Sequence, residues 1–168
     1  GKVVAFEPEP EAFKSLLKNI KLNEISNILA LNIALSDFKG RSQFEVGEIG
    51  GFLSSKITNC TVEVDTLDNI VSSLGVVPDV IKIDVEGAEY SVLRGGERVL
   101  CEYHPRLIIE IHRNANFQLF DYLSSLGYKI GLMEKGGVSW IDLEEIKEKC
   151  MERHLTELWN MDELSHIL

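Results

Sequence analysis

The chain is poor in the features that staple, anchor or metallate a protein. It has three cysteines in 168 residues, Cys60, Cys101 and Cys150, 41 and 49 positions apart. No C-x-x-C pair or Cys/His cluster accompanies them, which argues against a zinc site, and a sparse odd count suits a reducing compartment. The expected location is therefore cytoplasmic. Long apolar runs are missing too: residues 2–6, 28–35 and 107–109 fall far short of the ~20 that a spanning helix needs. Basic charge is scarce, 17 Lys and Arg against 27 Asp and Glu for a net charge of −10. That sign disfavours a nucleic-acid partner, whose phosphates demand a basic face. There is no G-x-S-x-G elbow, no P-loop and no H-E-x-x-H helix, so the common nucleophile, phosphate and zinc-protease signatures are excluded.

What remains has the makings of one globular domain, for which about 100–150 residues is the usual size. Residues 2–6 read as a strand stopped by Glu7-Pro8-Glu9-Pro10, after which Phe13, Leu16, Leu17 and Ile20 recur at the spacing of one helix face. Residues 28–35 read as a second strand, and residues 40–62 as an irregular, glycine-bearing loop before the alternating Thr61-Val62-Glu63-Val64. Thr66 is suited to cap a helix over 67–74 that Gly75 closes. Residues 79–83 form a third core strand ending at Asp84, followed by a helix over 86–94. A further strand lies at 107–111, a helix at 117–126, and a hairpin turns at Lys135-Gly136-Gly137. The pattern predicts an α/β fold with a mostly parallel, Rossmann-like sheet, helices on both faces and a C-terminal antiparallel hairpin. Residues 1–141 are expected to make the domain. Residues 142–168, with eight acidic against three basic residues, are expected to form a solvated, partly packed helical tail.

Open α/β sheets bind ligands at the carboxyl ends of their strands. Those ends carry Glu7, Asn32 to Ser36, Asp84 to Glu89, and Glu110 to Asn114. Glu7 can accept two hydrogen bonds from a ribose diol, or simply sit at the positive end of the next helix. The segment Ile81-Lys82-Ile83-Asp84-Val85-Glu86-Gly87-Ala88-Glu89 sets three carboxylates at one strand-to-helix turn, with Gly87 permitting close backbone approach. Asp84 there can serve as a general base, a metal ligand or a cofactor anchor. Glu86 and Glu89 can face one side of a helix, or merely favour its N-terminus. Glu110 and His112, two apart, point the same way on a strand, and a carboxylate beside an imidazole orients it and raises its basicity. His104, His154 and His166 have no such company.

Taken in order, Phe6-Glu7-Pro8-Glu9-Pro10, Asn19, Leu22-Asn23, Ala34-Leu35-Ser36, Thr66-Leu67-Asp68, the block from Ile81 to Glu89, Leu93, Gly95, Pro105 and Glu110-Ile111-His112 resemble the FkbM-type methyltransferases. These are S-adenosylmethionine-dependent O-methyltransferases of the class I Rossmann-like fold, and the likeness spans about residues 1–133. The resemblance implies that Glu7 holds the ribose of S-adenosyl-L-methionine, that Asn32, Ala34 and Leu35 border its adenine, and that Asp84 faces its methionine end. Asp84, Glu86, Glu110 and His112 would form the catalytic side, with Asp84 or His112 taking the proton of a small-molecule or glycan hydroxyl; no metal is demanded. The family's first strand and glycine-rich turn have no counterpart, since no two of the 13 glycines are separated by a single intervening residue. The chain is accordingly expected to be an N-terminally truncated form whose unpaired sheet edge promotes self-association. A non-catalytic remnant acting as an interaction module, and a nicotinamide dinucleotide-binding domain, are the competing readings.

Overall fold

A computed structural model of the chain describes residues 1–46, 51–54, 60–112, 115–134, 137–140, 142–156 and 166–167. Strand β1 (Val3–Phe6) leads into helix α1 (Pro10–Leu22), whose start is written locally. Pro10 occupies the first helical turn, and the Glu9 carboxylate accepts the otherwise unpaired amides of Glu11 and Ala12. Strand β2 (Ile28–Leu31) then pairs with β1 in parallel, from Val3 beside Ile28 to Phe6 beside Leu31. None of the α1 side chains is buried, and Val3 and Leu29 remain nearly half exposed.

The apolar run 28–35 does not continue as one strand. It breaks after Leu31 because the Asn32 amide donates to the backbone oxygens of Glu7 and Pro8, at 2.8 and 3.0 Å. That tie holds the end of β2 to the end of β1 and lets β3 (Ala34–Leu35) depart to another sheet. The segment expected to be an irregular loop is instead mostly sheet. β4 (Gly40–Val46) runs antiparallel both to β5 (Gly51–Ser54) and to β6 (Thr61–Asp65), and β3 joins β6 in parallel. Among the described side chains of β4 only Phe44 is fully buried, against Ala34, Val62 and Val64. With Arg41, Ser42 and Gln43 preceding it, the alternation that marks a strand is hidden. Gly47 and Gly50 lie outside the described residues.

Helix α2 (Leu67–Leu74) follows its sequence signals: the Thr66 hydroxyl accepts the Asn69 amide, and Gly75 closes it at φ 61°. Then come β7 (Val80–Ile83), α3 (Glu89–Arg94), α4 (Glu97–Tyr103) and β8 (Arg106–Glu110). The helix expected from residue 86 starts at Glu89 because residues 85–88 form a turn. Helix α4 was not expected at all. Two of its N-terminal amides, on Arg98 and Val99, are accepted by the Asp68 carboxylate at 3.1 and 2.9 Å, a cap supplied thirty residues away. Gly95 sits so close to β3 that a side chain there would meet the Ser36 oxygen at 2.0 Å.

Helix α5 (Gln118–Ser125), the antiparallel pair β9 (Leu132–Glu134) and β10 (Gly137–Ser139), helix α6 (Leu143–Thr156) and β11 (His166–Ile167) complete the chain. The expected hairpin is present; its turn residues 135–136 lie outside the described residues. The principal core joins Ile83, Leu93, Leu100, Ile109, Phe120 and Leu132, and α6 contributes Ile146 and Cys150 to it. Residues 157–165 of the expected helical tail lie outside the described residues. Among the described residues no helix is long and apolar enough to cross a membrane.

The fold is α/β, with its strands distributed over three small sheets: β1-β2, β3-β6-β4-β5 and β10-β9-β11-β8-β7. Parallel pairing is confined to β1 with β2, β3 with β6, and β7 with β8. Among the described residues β1 pairs only with β2, and β7 only with β8. Replacing Asp68 with Ala should remove the distant cap of α4 and cost about 1–2 kcal/mol, read as a lower urea midpoint, with Asp68→Asn close to wild type. An unchanged midpoint for Asp68→Ala would show that the cap carries no stability.

Candidate active site

The parallel register of β7 and β8 sets Ile83 beside Ile109. The next residues along, Asp84 and Glu110, therefore emerge together at the carboxyl ends of adjacent strands, and His112 follows two positions later. Its imidazole lies between two carboxylates. His112 Nε2 is 3.1 Å from Asp84 Oδ1, and Nδ1 is 3.4 Å from Glu86 Oε2. The ring is only 19% exposed, Asp84 41%. A neutral imidazole can donate to one of these carboxylates; the protonated ring donates to both.

Asp84 has a second partner that was not singled out in the sequence: Lys82 Nζ lies 2.8 Å from its Oδ2. The two residues stand two apart along the strand, a spacing that puts them on one face and could have flagged the pair. Partial burial works to push the Asp84 carboxyl up, but the hydrogen bonds and charges of Lys82 and His112 outweigh it and hold the group below the usual carboxylate range. The hydrogen bond to Asp84 raises the Lys82 ammonium in turn.

Glu86 reaches His112 from an unusual backbone. It has φ 49°, Gly87 follows at φ 100°, and the Ala88 amide donates to the Val85 oxygen at 3.2 Å. Two successive left-handed residues closed by such a bond are the signature of a type I′ turn. For glutamate this conformation costs about 1–3 kcal/mol and has to be imposed by its surroundings. Glu89, treated in the sequence as a helix-start carboxylate, is completely buried. Its Oε1 accepts the Gly87 amide at 3.0 Å. Burial pushes its carboxyl up, against the opposing pull of backbone amides and of the His112 charge.

One ligand atom from each of Asp84, Glu110 and His112 lies within 4.8 Å of the others, a group able to hold a divalent ion. Both Asp84 oxygens already have a partner, Lys82 on one and His112 on the other, so an ion would have to share the carboxylate with them or displace them. The residues assigned to the cofactor lie elsewhere. Glu7, at the end of β1, accepts the Glu9 amide through Oε1 at 2.9 Å; among the described residues its other oxygen has no hydrogen-bond partner. Asn32 spends its amide on the Glu7 and Pro8 backbone. Ala34 is buried in the core of the second sheet, with Leu35 half-buried beside it, which leaves mainly their backbone to border a ligand. Glu7 and Asn32 are thus brought together, as are Asp84, Glu86, Glu110 and His112.

A methyltransferase FkbM domain model matches residues 1–130. The chain belongs to the FkbM methyltransferase family. An FkbM-type chain of this length spans about half of a curated relative, the hexuronic acid methyltransferase AglP of Haloferax volcanii. The two are 33% identical over 116 residues, covering 67% of this chain and 48% of the relative. The crystal structure of methyltransferase FkbM from Methylobacillus flagellatus superposes with a TM-score of 0.61 at 22% identity, covering 78% of this chain and 32% of that one, a likeness of fold.

The depressed carboxyl has a consequence for acid stability. Asp84's contribution is present above the ordinary unfolded value near ~3.9 and is lost as pH falls through its lower folded value. Urea unfolding of wild type and Asp84→Asn should therefore differ at pH 7 and converge toward pH 2–3. A gap that persists unchanged at low pH would contradict this.

Proposed function

We propose that this FkbM-family domain transfers a methyl group from S-adenosylmethionine to a hydroxyl of a glycan, with Asp84, Glu86, Glu110 and His112 on the acceptor side. The observation that carries the reading is the imidazole of His112 held between Asp84 and Glu86 at the carboxyl ends of adjacent parallel strands. The named specificity of the Haloferax relative supports a sugar acceptor, with a hexuronic acid as the first to try.

S-adenosylmethionine supplies an electrophilic methyl on a sulfonium sulfur; the acceptor oxygen forms a bond to that carbon as the carbon–sulfur pair returns to sulfur, leaving S-adenosylhomocysteine. The chain's part is to align the acceptor and take its hydroxyl proton. His112 is the assigned base: its neutral ring leaves one nitrogen bare, and the acceptor hydroxyl has to enter beside the carboxylate facing that nitrogen to hand over its proton. Asp84 and Glu86 then each accept one N–H of the imidazolium that results, and Lys82 keeps Asp84 ionised. Glu110 borders the same space. Glu7, with a carboxylate oxygen to spare at the end of β1, suits a ribose diol, and the backbone from Asn32 to Leu35 the adenine. The proton transfer assigned to His112 is written without a metal.

On this reading the parallel pairs of β1 with β2 and β7 with β8 are two parts of one Rossmann-like sheet. The apolar surface left on β1, α1 and β2 supports self-association through that edge; a stable monomer on size-exclusion chromatography would argue against it. A non-catalytic interaction module is the second reading, favoured by the same uncovered strands.

Calorimetric titration of S-adenosylhomocysteine into the chain, with and without EDTA, tests the assignment. Micromolar binding, unaffected by EDTA and weakened at least tenfold by Glu7→Ala, is expected, since each hydrogen bond to a charged group contributes about 1.5–3 kcal/mol. No binding to a folded chain would count against the domain as a self-sufficient methyltransferase and in favour of the interaction module.

A further inference from the structure

Glu89 is the only charged side chain fully buried among the described residues, and the mechanism above does not use it. Its surroundings say what it does. Oε1 accepts the Gly87 amide, while Oε2 is buried without any hydrogen-bond partner. Isolating a carboxylate from water in this way is costly, and burial raises its proton affinity accordingly. A residue chosen only for stability would not be a carboxylate at this position. Helix α3 gains little from it as a conventional cap: its N-cap, Ala88, offers no side-chain acceptor. Glu89 lies one turn beyond Glu86, whose left-handed backbone aims its own carboxylate at His112. The Gly87 amide, fastened by Glu89, belongs to the second of the two left-handed residues in that turn.

We propose that Glu89 is a positioning residue: as a buried acceptor for the Gly87 amide it locks the Val85–Ala88 turn in its left-handed form and so fixes Glu86 against His112. The inference rests on the reading of Asp84, Glu86 and His112 as the reaction centre. It acts through geometry, and an uncharged acceptor of the same shape should do as well.

The test combines Glu89→Gln, which keeps the acceptor oxygen, with Glu89→Leu, which keeps bulk but removes it. In carbon–proton correlation spectra the His112 ring signal should stay in place in Glu89→Gln and move in Glu89→Leu, with His104 as the unmoved internal reference. Methyl transfer by Glu89→Leu should fall at least tenfold in kcat with KM changed less than twofold, and Glu89→Gln should restore it. In the wild-type chain the Gly87 amide should exchange with solvent at least a hundredfold more slowly than an unstructured amide, a measurement that stands even if Glu89→Leu fails to fold. A rapidly exchanging Gly87 amide would overturn the proposal. So would a His112 signal that moves equally in both variants, or in neither. If the spectra behave as expected but no variant and no wild-type chain transfers a methyl group, the positioning role holds and the catalytic reading fails.

Discussion

The arrangement of this domain depends on the parallel register between β7 and β8. Setting Ile83 beside Ile109 sends both into the core and delivers Asp84 and Glu110 side by side at the strand ends. Because side chains alternate, a slip of one residue in either strand would turn that strand's inward side chain, Ile83 or Ile109, out of the core and carry its candidate site residues to the wrong face. Core packing and the geometry of the candidate site are therefore enforced by the same contact. The apolar cost of a wrong register, with a core isoleucine exposed at about 1.5–3 kcal/mol, is what keeps the polar residues aligned.

Around that pair the chemistry is a balance of charge. Three carboxylates, on Asp84, Glu86 and Glu110, crowd one imidazole and one ammonium. Lys82 settles Asp84 as an anion, and the anion in turn holds one side of His112 while Glu86 holds the other. The strained backbone at Glu86 and the buried Glu89 belong to this balance as well. Each is unfavourable by itself, and both sit in the turn that carries one of the two carboxylates on His112. Costs of this kind persist where a geometry is needed for function.

How much of this could be read from the sequence depends on distance along the chain. Local signals were legible: Pro10 and Glu9 start α1, Thr66 and Gly75 bound α2, and the apolar runs mark β1, β7 and β8. The strand-end carboxylates and His112 were likewise visible as candidates, and the family was recognisable from its motif blocks. What could not be read is what depends on remote partners. Helix α4 relies on the Asp68 carboxylate thirty residues earlier, so its own sequence shows no cap. The break between β2 and β3 comes from Asn32 bonding to the Glu7 and Pro8 backbone, not from any breaker in the run. β4 hides its strand character because Arg41, Ser42 and Gln43 precede its buried Phe44. In the site, the pairing of Asp84 with His112 required knowing that β7 and β8 are neighbours. Lys82, by contrast, could have been found from its two-residue spacing to Asp84.

The account stands on Asp84 and His112 acting as one unit in methyl transfer. The direct measurement is a double-mutant cycle on the rate of methyl transfer to a hexuronate-containing glycan, using Asp84→Asn, His112→Ala and the double variant. If the two act together, loss of His112 should slow the reaction by about 10²–10⁴-fold, and the double variant should be little slower than His112→Ala alone. Losses that multiply independently, or a His112→Ala variant as fast as wild type, would contradict the account.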